Sequence, residues 1–192
     1  HHTPPVTADC VVDGDKEAGA RTAGEYLLGR GMRRVATVAG PQDMEVGRAR
    51  LAGYRAALPD QDLVAYGDFT EAGGLAAMRT LLGRAPDVDA GFAAFDLMAC
   101  GALRALREAG DRTPQDVAVV GFADIPESEF FAPPLTTVRQ DFSTVGKRGI
   151  AMVLEMIEGR PPATARRVAI EPQLVVRAST FPYTVQPEGV AL

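Results

Sequence analysis

The stretch DVAVVGFADIPESEFFAPPLTTVRQ, residues 116–140, decides the fold of this chain. It opens with the short apolar run 117–122 and continues into a polar loop that holds Asp124 and three prolines. A short, β-branched apolar run of this kind is typical of a parallel strand that is covered on both faces. Because ligands bind beyond the carboxyl ends of parallel strands, Asp124 is expected to face a ligand. Residues 135–140 are expected to form a second strand, which ends at Gln140.

Short apolar runs alternate with helical patterns along the rest of the chain. Strands are expected at residues 6–12, 35–39, 63–66 and 90–95, and again at 168–170 and 174–176. Apolar residues at helical spacing predict helices between these runs, with N-caps at Thr70, Asp96 and Ser143. Strands that alternate with helices of this length form βαβ units. The sequence therefore predicts an α/β protein with a doubly wound parallel sheet.

The composition limits the classes of function. The 192 residues include 46% hydrophobic and 23% charged residues, which is typical of a soluble globular protein. No apolar run reaches the roughly 20 residues of a membrane span, and no export signal opens the chain. A net charge of −5 argues against nucleic-acid binding by this segment itself, since phosphate binding needs clustered Lys and Arg. The two cysteines lie far apart without a partner histidine, so we expect neither a disulfide framework nor a metal site, and a reducing cytoplasm fits best.

The sequence offers little for catalysis. Its two histidines are the first two residues, so a Ser-His-Asp or Cys-His arrangement has no base. No P-loop and no GxGxxG motif follows a predicted strand. A paired-carboxylate hydrolase stays open, because Asp68, Asp96 and Asp124 each follow a predicted strand. The preferred interpretation is a binding protein that has no cofactor and is not an enzyme.

Five side chains are expected to meet at one edge of the sheet and to bind a small ligand. They are Arg50, Phe69, Asp96, Asp124 and Gln140. An aromatic face beside carboxylates, an amide and a guanidinium suits a small polar ligand with a flat or ring-shaped face, so a carbohydrate and a nucleobase both qualify. Simpler interpretations exist for three of them: Arg50 as a solvated side chain, Phe69 as a core residue and Asp96 as a helix cap.

Six motifs that occur in order resemble the effector-binding domain of LacI/GalR family transcriptional regulators. They are EAGARTAGEYLLGRG from residue 17, RRVATVAGP from 33, GRARLAGYRAAL from 47, FAAFDLMACGALRALREAG from 92, TPQDVAVVGF from 113 and PPLTTVRQ from 133. The resemblance covers nearly all of residues 11–180. It implies a periplasmic-binding-protein-like type I fold with two α/β subdomains around a cleft, and a protein that binds an effector, forms a homodimer and performs no catalysis.

The resemblance also implies roles for four of the candidate residues. Arg50 in RLAGY and Asp96 in FDLMA match effector-binding positions of the family. Gln140 in TTVRQ matches a polar cleft position, and Phe69 in GDF matches an aromatic cleft position of purine-responsive members.

The chain departs from the family pattern in two places. The family motif Gly-Phe/Tyr-Asp-Asp/Asn is GFAD at residues 121–124, so Ala123 replaces the first acid, a common effector ligand. Met44 and Val46 stand where purine-responsive members have polar groups. A sugar or a less polar ligand is therefore as well supported as a purine.

The resemblance further implies that the chain is mainly a C-terminal subdomain. The implied segments are a remnant of the N-terminal subdomain or a tag at 1–14, the C-terminal subdomain at 15–141, a returning segment of the N-terminal subdomain at 142–171, and a final strand and tail at 172–192. The apolar side chains of Val153, Leu154 and Ile157 would then lack their usual cover. We therefore expect self-association, for which domain swapping is one route.

The expected function is that of a cytoplasmic effector sensor. A sugar or nucleobase-like effector would shift the balance between two states of the dimer and so change how it presents its DNA-binding heads. DNA would be contacted only through a headpiece absent from this chain, and no membrane would be involved. The alternative is a periplasmic solute-binding receptor of a sugar transporter, which shares the fold and would follow a signal peptide.

Overall fold

The structure is a computed structural model that describes residues 10–59, 62–158 and 166–180. Its elements are β1 Cys10–Gly14, α1 Lys16–Gly29, β2 Val35–Ala39, α2 Glu45–Ala57, β3 Val64–Tyr66, α3 Glu71–Arg84, β4 Ala90–Ala93, α4 Asp96–Ala109, β5 Ala118–Ala123, the 3₁₀ turn η1 Pro126–Phe130, β6 Thr136–Arg139, α5 Phe142–Ile157, β7 Arg166–Ile170 and β8 Gln173–Val175. Strand and helix alternate along most of this order, as the apolar pattern predicts. Residues 6–9 of the first predicted strand lie outside the described residues.

Six of the described strands form one sheet in the order β3-β2-β4-β5-β6-β8. Neighbouring strands are parallel except at one edge, where β8 runs antiparallel to β6. The chain goes outward from β2 to β3 and then crosses back to β4, so the strand order reverses between β2 and β4. The predicted doubly wound sheet is confirmed. In such sheets a ligand binds beyond the carboxyl ends of the strands at the point of reversal.

The core lies on the two faces of this sheet. β2 and β5 are buried along their whole length, as their continuous apolar runs predict. Helix α1 packs against α2, and α3 packs against α4. Glycines allow both pairs to pack closely: a Cβ on Gly53 would lie 2.0 Å from the carbonyl oxygen of Glu17, and one on Gly74 would lie 2.2 Å from that of Met98. Close packing of these four helices therefore fixes the position of the strands, and with it the position of the loops at the carboxyl edge of the sheet.

A smaller unit stands beside the main sheet. β1 and β7 pair in parallel as a separate two-stranded sheet, and α5 packs against β1. Three short connections, at residues 15, 140–141 and 171–172, join this unit to the main sheet and its helices. The part of α5 that does not face β1 carries several exposed apolar side chains, which are Phe142, Ile150, Val153, Leu154, Met156 and Ile157. None of the described helices is long and apolar enough to span a bilayer.

The helix caps confirm one prediction and correct two. Thr70 caps α3 as predicted, because its hydroxyl accepts a hydrogen bond from the Gly73 amide at 3.0 Å. The predicted cap at Ser143 is wrong, since α5 starts earlier and Asp141 accepts from the Thr144 amide at 2.9 Å. The predicted cap at Asp96 is also wrong: Phe95 is the N-cap of α4, and Asp96 is its first helical residue, with its carboxylate bonded elsewhere.

Candidate functional site

Arg50 is buried at the carboxyl edge of the main sheet, where the strand order reverses. Its Nη1 donates a hydrogen bond to the Ala94 carbonyl oxygen at 2.5 Å, directly after β4. Its Nη2 donates to Gln140 Oε1 at 3.1 Å, and its guanidinium carbon lies 4.1 Å from the ring centre of Phe122. Arg50 is only 5% exposed, so its interpretation as a solvated side chain is wrong.

The electrostatic state of Arg50 follows from this burial. Burial lowers the pKa of Arg50 to about 10, although the nearby carboxylates of Asp96, Asp13 and Glu45 oppose the shift. The guanidinium therefore stays cationic at neutral pH. Its Nε is buried and has no hydrogen-bond partner within the described part of the chain. A buried unpaired donor costs about 1–3 kcal/mol, and a ligand oxygen bound to this atom would remove that cost.

Phe69 lies next to this cluster in the loop after β3. The guanidinium carbon of Arg50 is 6.0 Å from its ring centre, and Phe95 packs edge-on at 5.8 Å between ring centres. The backbone of Phe69 is left-handed, with φ 68°, and its ring packs so closely on Gly40 that a Cβ there would lie 2.4 Å from the ring. Phe69 is half-buried and packs against the core, so part of its side chain stays accessible.

Asp96 is fully buried and connects three parts of the sheet edge. Its Oδ1 accepts a hydrogen bond from the Thr137 hydroxyl at 2.6 Å, and its Oδ2 accepts from the Ile125 amide at 2.9 Å. Burial raises the pKa of Asp96, and these two hydrogen bonds oppose the shift. The carboxylate thereby fixes β6 and the start of the loop after β5 in place beside α4.

Asp124 is held by residues outside the predicted set. Its carboxylate forms ion pairs with Arg139 Nε at 2.6 Å and Arg177 Nη2 at 2.8 Å. Burial opposes ionisation, but the hydrogen bonds from the two arginines hold the pKa of Asp124 below its usual range. Ala123 and Asp124 both have positive φ, 123° and 56°, which non-glycine residues rarely adopt. The arginine pairs hold this strained turn at the end of β5.

A cavity of about 600 Å³ lies where the main sheet meets the smaller unit. Residues from both parts line it, among them Asp124, Arg139, Gln140, Phe142 and Gln173. Arg50, Phe69 and Asp96 do not line this cavity. Gln140 lines it and also accepts the hydrogen bond from Arg50. The five predicted residues therefore fall into a central pair, Arg50 and Gln140, with the other three around it.

Sequence reasoning missed several residues that build the site. Phe122 belongs to the apolar run of the central strand and to the GFAD motif, and its contact with the Arg50 guanidinium cannot be seen in either pattern. Thr137 left a weak signal in the sequence, because two hydroxyl residues, Thr136 and Thr137, stand together in the predicted strand 135–140. Within the described residues, no group of His, Cys, Asp and Glu side chains is arranged to hold a metal ion. The site offers a cation, an amide and an aromatic ring to a polar ligand.

Comparison with known proteins identifies the family. The family described as "Periplasmic binding protein-like domain" matches residues 25–180 of the chain. The chain belongs to this family. Solved structures of the family that match it include a transcriptional regulator CelR–cellobiose complex, with a TM-score of 0.83 and 46% identity over 92% of this chain and 56% of that one. A dimeric Lac repressor matches with a TM-score of 0.82 and 31% identity over 88% of this chain and 63% of the repressor.

The related sequences are regulators as well. The HTH-type transcriptional regulator CelR of Thermobifida fusca is 49% identical over 174 residues, which are 88% of this chain and 51% of the relative. The HTH-type transcriptional repressor PurR of Salmonella newport is 36% identical over 178 residues, 89% of this chain and 51% of the relative. The chain thus spans about half the length of these curated relatives. The predicted resemblance to LacI-type regulators and the predicted fold class are confirmed.

Proposed function

We propose that this chain is the larger part of the effector-binding domain of a LacI-type transcriptional regulator, and that its effector is a small saccharide. The observation that carries the proposal is the buried Arg50, which is held by two acceptors and has an Nε that no described residue pairs, next to the half-buried ring of Phe69. A guanidinium donates to hydroxyl and ring oxygens, and an aromatic ring packs on the apolar face of a sugar.

The comparisons favour a saccharide over a purine. Identity is 49% with CelR and 36% with PurR, and the CelR structure is described as a cellobiose complex. In this proposal Arg50, Gln140 and Phe69 contact the effector, whereas Asp96 and Asp124 hold the surrounding loops in position.

The sensing mechanism needs two states that differ in affinity for the effector. We propose that the conformational change between these two states occurs at the three connections between the main sheet and the smaller unit, because the cavity lined by Gln140 lies between these two parts. In this proposal residues 15–141 form one subdomain, and the smaller unit belongs to a second. DNA is contacted through a headpiece outside this chain, in a homodimer in the cytoplasm. The relatives are transcriptional regulators, which favours sensing over solute transport or catalysis.

Calorimetric titration of the chain tests the effector class. Cellobiose is expected to bind saturably, while guanine and hypoxanthine at the same concentrations give no saturable heat. A thermal-shift measurement provides the check, since a ligand at 100 times its Kd stabilises the folded state by about 2.7 kcal/mol. If a purine base binds saturably and cellobiose gives no binding heat, the saccharide assignment is overturned. Turnover of cellobiose into a product would overturn the assignment as a sensor.

A further inference from the structure

Gly14 lies at a point where the chain leaves no room for a side chain. It is the buried last residue of β1, directly before the connection to α1. A Cβ on Gly14 would lie 2.8 Å from Gln140 Nε2, which is closer than Cβ atoms come to other heavy atoms in proteins. Gly14 is not among the residues with positive φ, so its backbone accepts alanine. The end of the Gln140 side chain, and not the backbone conformation, is what a side chain at residue 14 would have to displace.

The same Gln140 side chain is bonded to Arg50 at its other end. Its Oε1 accepts the hydrogen bond from Arg50 Nη2, and its Nε2 lies against Gly14. Gln140 itself stands in the connection from β6 to α5. The last residue of β1 and the β6–α5 connection therefore meet at one amide group, whose oxygen is also the acceptor that orients Arg50.

We infer that Gly14 is a positioning residue of the effector site. Its missing side chain allows the Gln140 amide to lie against the β1–α1 connection and to present Oε1 to Arg50. The inference rests on the proposed function, because it assigns Gly14 the task of setting the geometry with which Arg50 meets the effector. A methyl group at residue 14 displaces the amide, and Arg50 Nη2 then loses its acceptor.

A double-mutant cycle on the whole chain tests this inference. The variants are Gly14→Ala, Gln140→Ala and the two combined, and the measurement is the Kd for cellobiose by calorimetry. Gly14→Ala is expected to raise the Kd about tenfold, which corresponds to the loss of one hydrogen bond to a charged group. Gln140→Ala is expected to raise the Kd by at least as large a factor, because it also removes the proposed contact of Gln140 with the effector. The double variant is expected to bind like Gln140→Ala alone, because the alanine at residue 14 then has no amide to displace.

The matched control is Gly83→Ala, since a Cβ on Gly83 would have no atom within 4 Å. Its Kd is expected to equal that of the unchanged chain. If Gly14→Ala binds cellobiose like the unchanged chain, or if the two single effects add fully in the double variant, the inference is overturned. If Gly14→Ala fails to fold while the double variant folds, the Kd of the double variant decides: a value equal to that of Gln140→Ala supports the inference, and a clearly higher value overturns it.

A readout without ligand separates this inference from the proposed function. The Nε–H resonance of Arg50 in a ¹H–¹⁵N spectrum, assigned by its loss in Arg50→Lys, reports the surroundings of the guanidinium. It is expected to shift in Gly14→Ala and in Gln140→Ala, and to stay in place in Gly83→Ala. If cellobiose does not bind the unchanged chain, the saccharide assignment fails, and this resonance still decides the role of Gly14: an unmoved resonance in Gly14→Ala overturns it.

Discussion

Replacing Arg50 with methionine separates the effect of its charge on ligand binding from its effect on folding. Methionine keeps an unbranched apolar stem but ends about where Nε of Arg50 lies, so the space that the guanidinium carbon fills over the Phe122 ring is left empty. The substitution removes the cation, the donors to Ala94 and Gln140, and the unpaired Nε. Loss of the two donors lowers the free energy of unfolding, whereas removal of the buried cation raises it.

The expected magnitudes follow from these contacts. Loss of a donor leaves the Ala94 carbonyl and the Gln140 amide oxygen unpaired, at a cost of about 1–3 kcal/mol for each. Removal of a buried cation recovers a desolvation cost of several kcal/mol, which acts in the opposite direction. The net change in the free energy of unfolding is therefore expected to stay within about 2 kcal/mol. The effector loses a hydrogen bond to a charged group, about 1.5–3 kcal/mol, so its Kd is expected to rise roughly 10- to 150-fold.

Calorimetric titration with cellobiose and urea unfolding measure these two quantities on the same samples. The control is Arg55→Met on the same helix, because Arg55 is exposed and its ion pair with Asp62 is long, at 3.8 Å. Arg55→Met is expected to bind cellobiose like the unchanged chain. An Arg50→Met variant that is folded and keeps its affinity for cellobiose would refute the assignment of Arg50 as the central effector contact.

Three further predictions concern the buried carboxylate and the exposed helix face. Thr137→Val removes the hydroxyl that bonds Asp96 at 2.6 Å and is expected to lower the free energy of unfolding by about 1.5–3 kcal/mol. The control is Thr80→Val, because Thr80 is exposed. Equal losses of stability in the two variants would contradict the prediction. Because the pKa of Asp96 is raised in the folded state, its contribution to stability is largest below its unfolded pKa of about 3.9 and falls as pH rises through the raised folded pKa. Urea unfolding from pH 4 upward is therefore expected to show that the free energy of unfolding of the unchanged chain falls relative to that of Asp96→Asn. A difference between the two free energies that does not change with pH would contradict this. Since the apolar face of α5 is exposed, the chain is expected to self-associate, so light scattering should give a mass above the 20.3 kDa of the monomer. Leu154→Glu is expected to lower this mass towards that of the monomer. A monomer mass for the unchanged chain at every concentration would contradict the prediction.

The main features of the fold could be predicted because local pattern and burial agree along most of the chain. Apolar runs bounded by glycine and proline predict the strands, and Thr70 shows its capping role in the local sequence. The two cap errors have different causes. Asp141 and Ser143 both stand near the start of α5, and the register of the helix decides between them. Asp96 begins α4, but a strand far away in sequence supplies its hydrogen-bond partner.

The site could be predicted only in part, because its contacts join distant segments. Arg50 and Gln140 could be placed at one edge of the sheet, since parallel strands bring the residues that follow them to the same end. Their direct hydrogen bond spans 90 residues and depends on packing that no local pattern contains. The same is true of the amide of Gln140 against Gly14, and of the two arginines that hold Asp124.

A crystal structure of the chain with cellobiose tests the proposed binding mode most directly. We predict a sugar oxygen within hydrogen-bonding distance of the Arg50 guanidinium, next to the Gln140 amide, with the ring of Phe69 packed on the sugar. A sugar bound elsewhere, for example in the cavity of about 510 Å³ between α3 and α4 that Cys100 and Phe131 line, would contradict it.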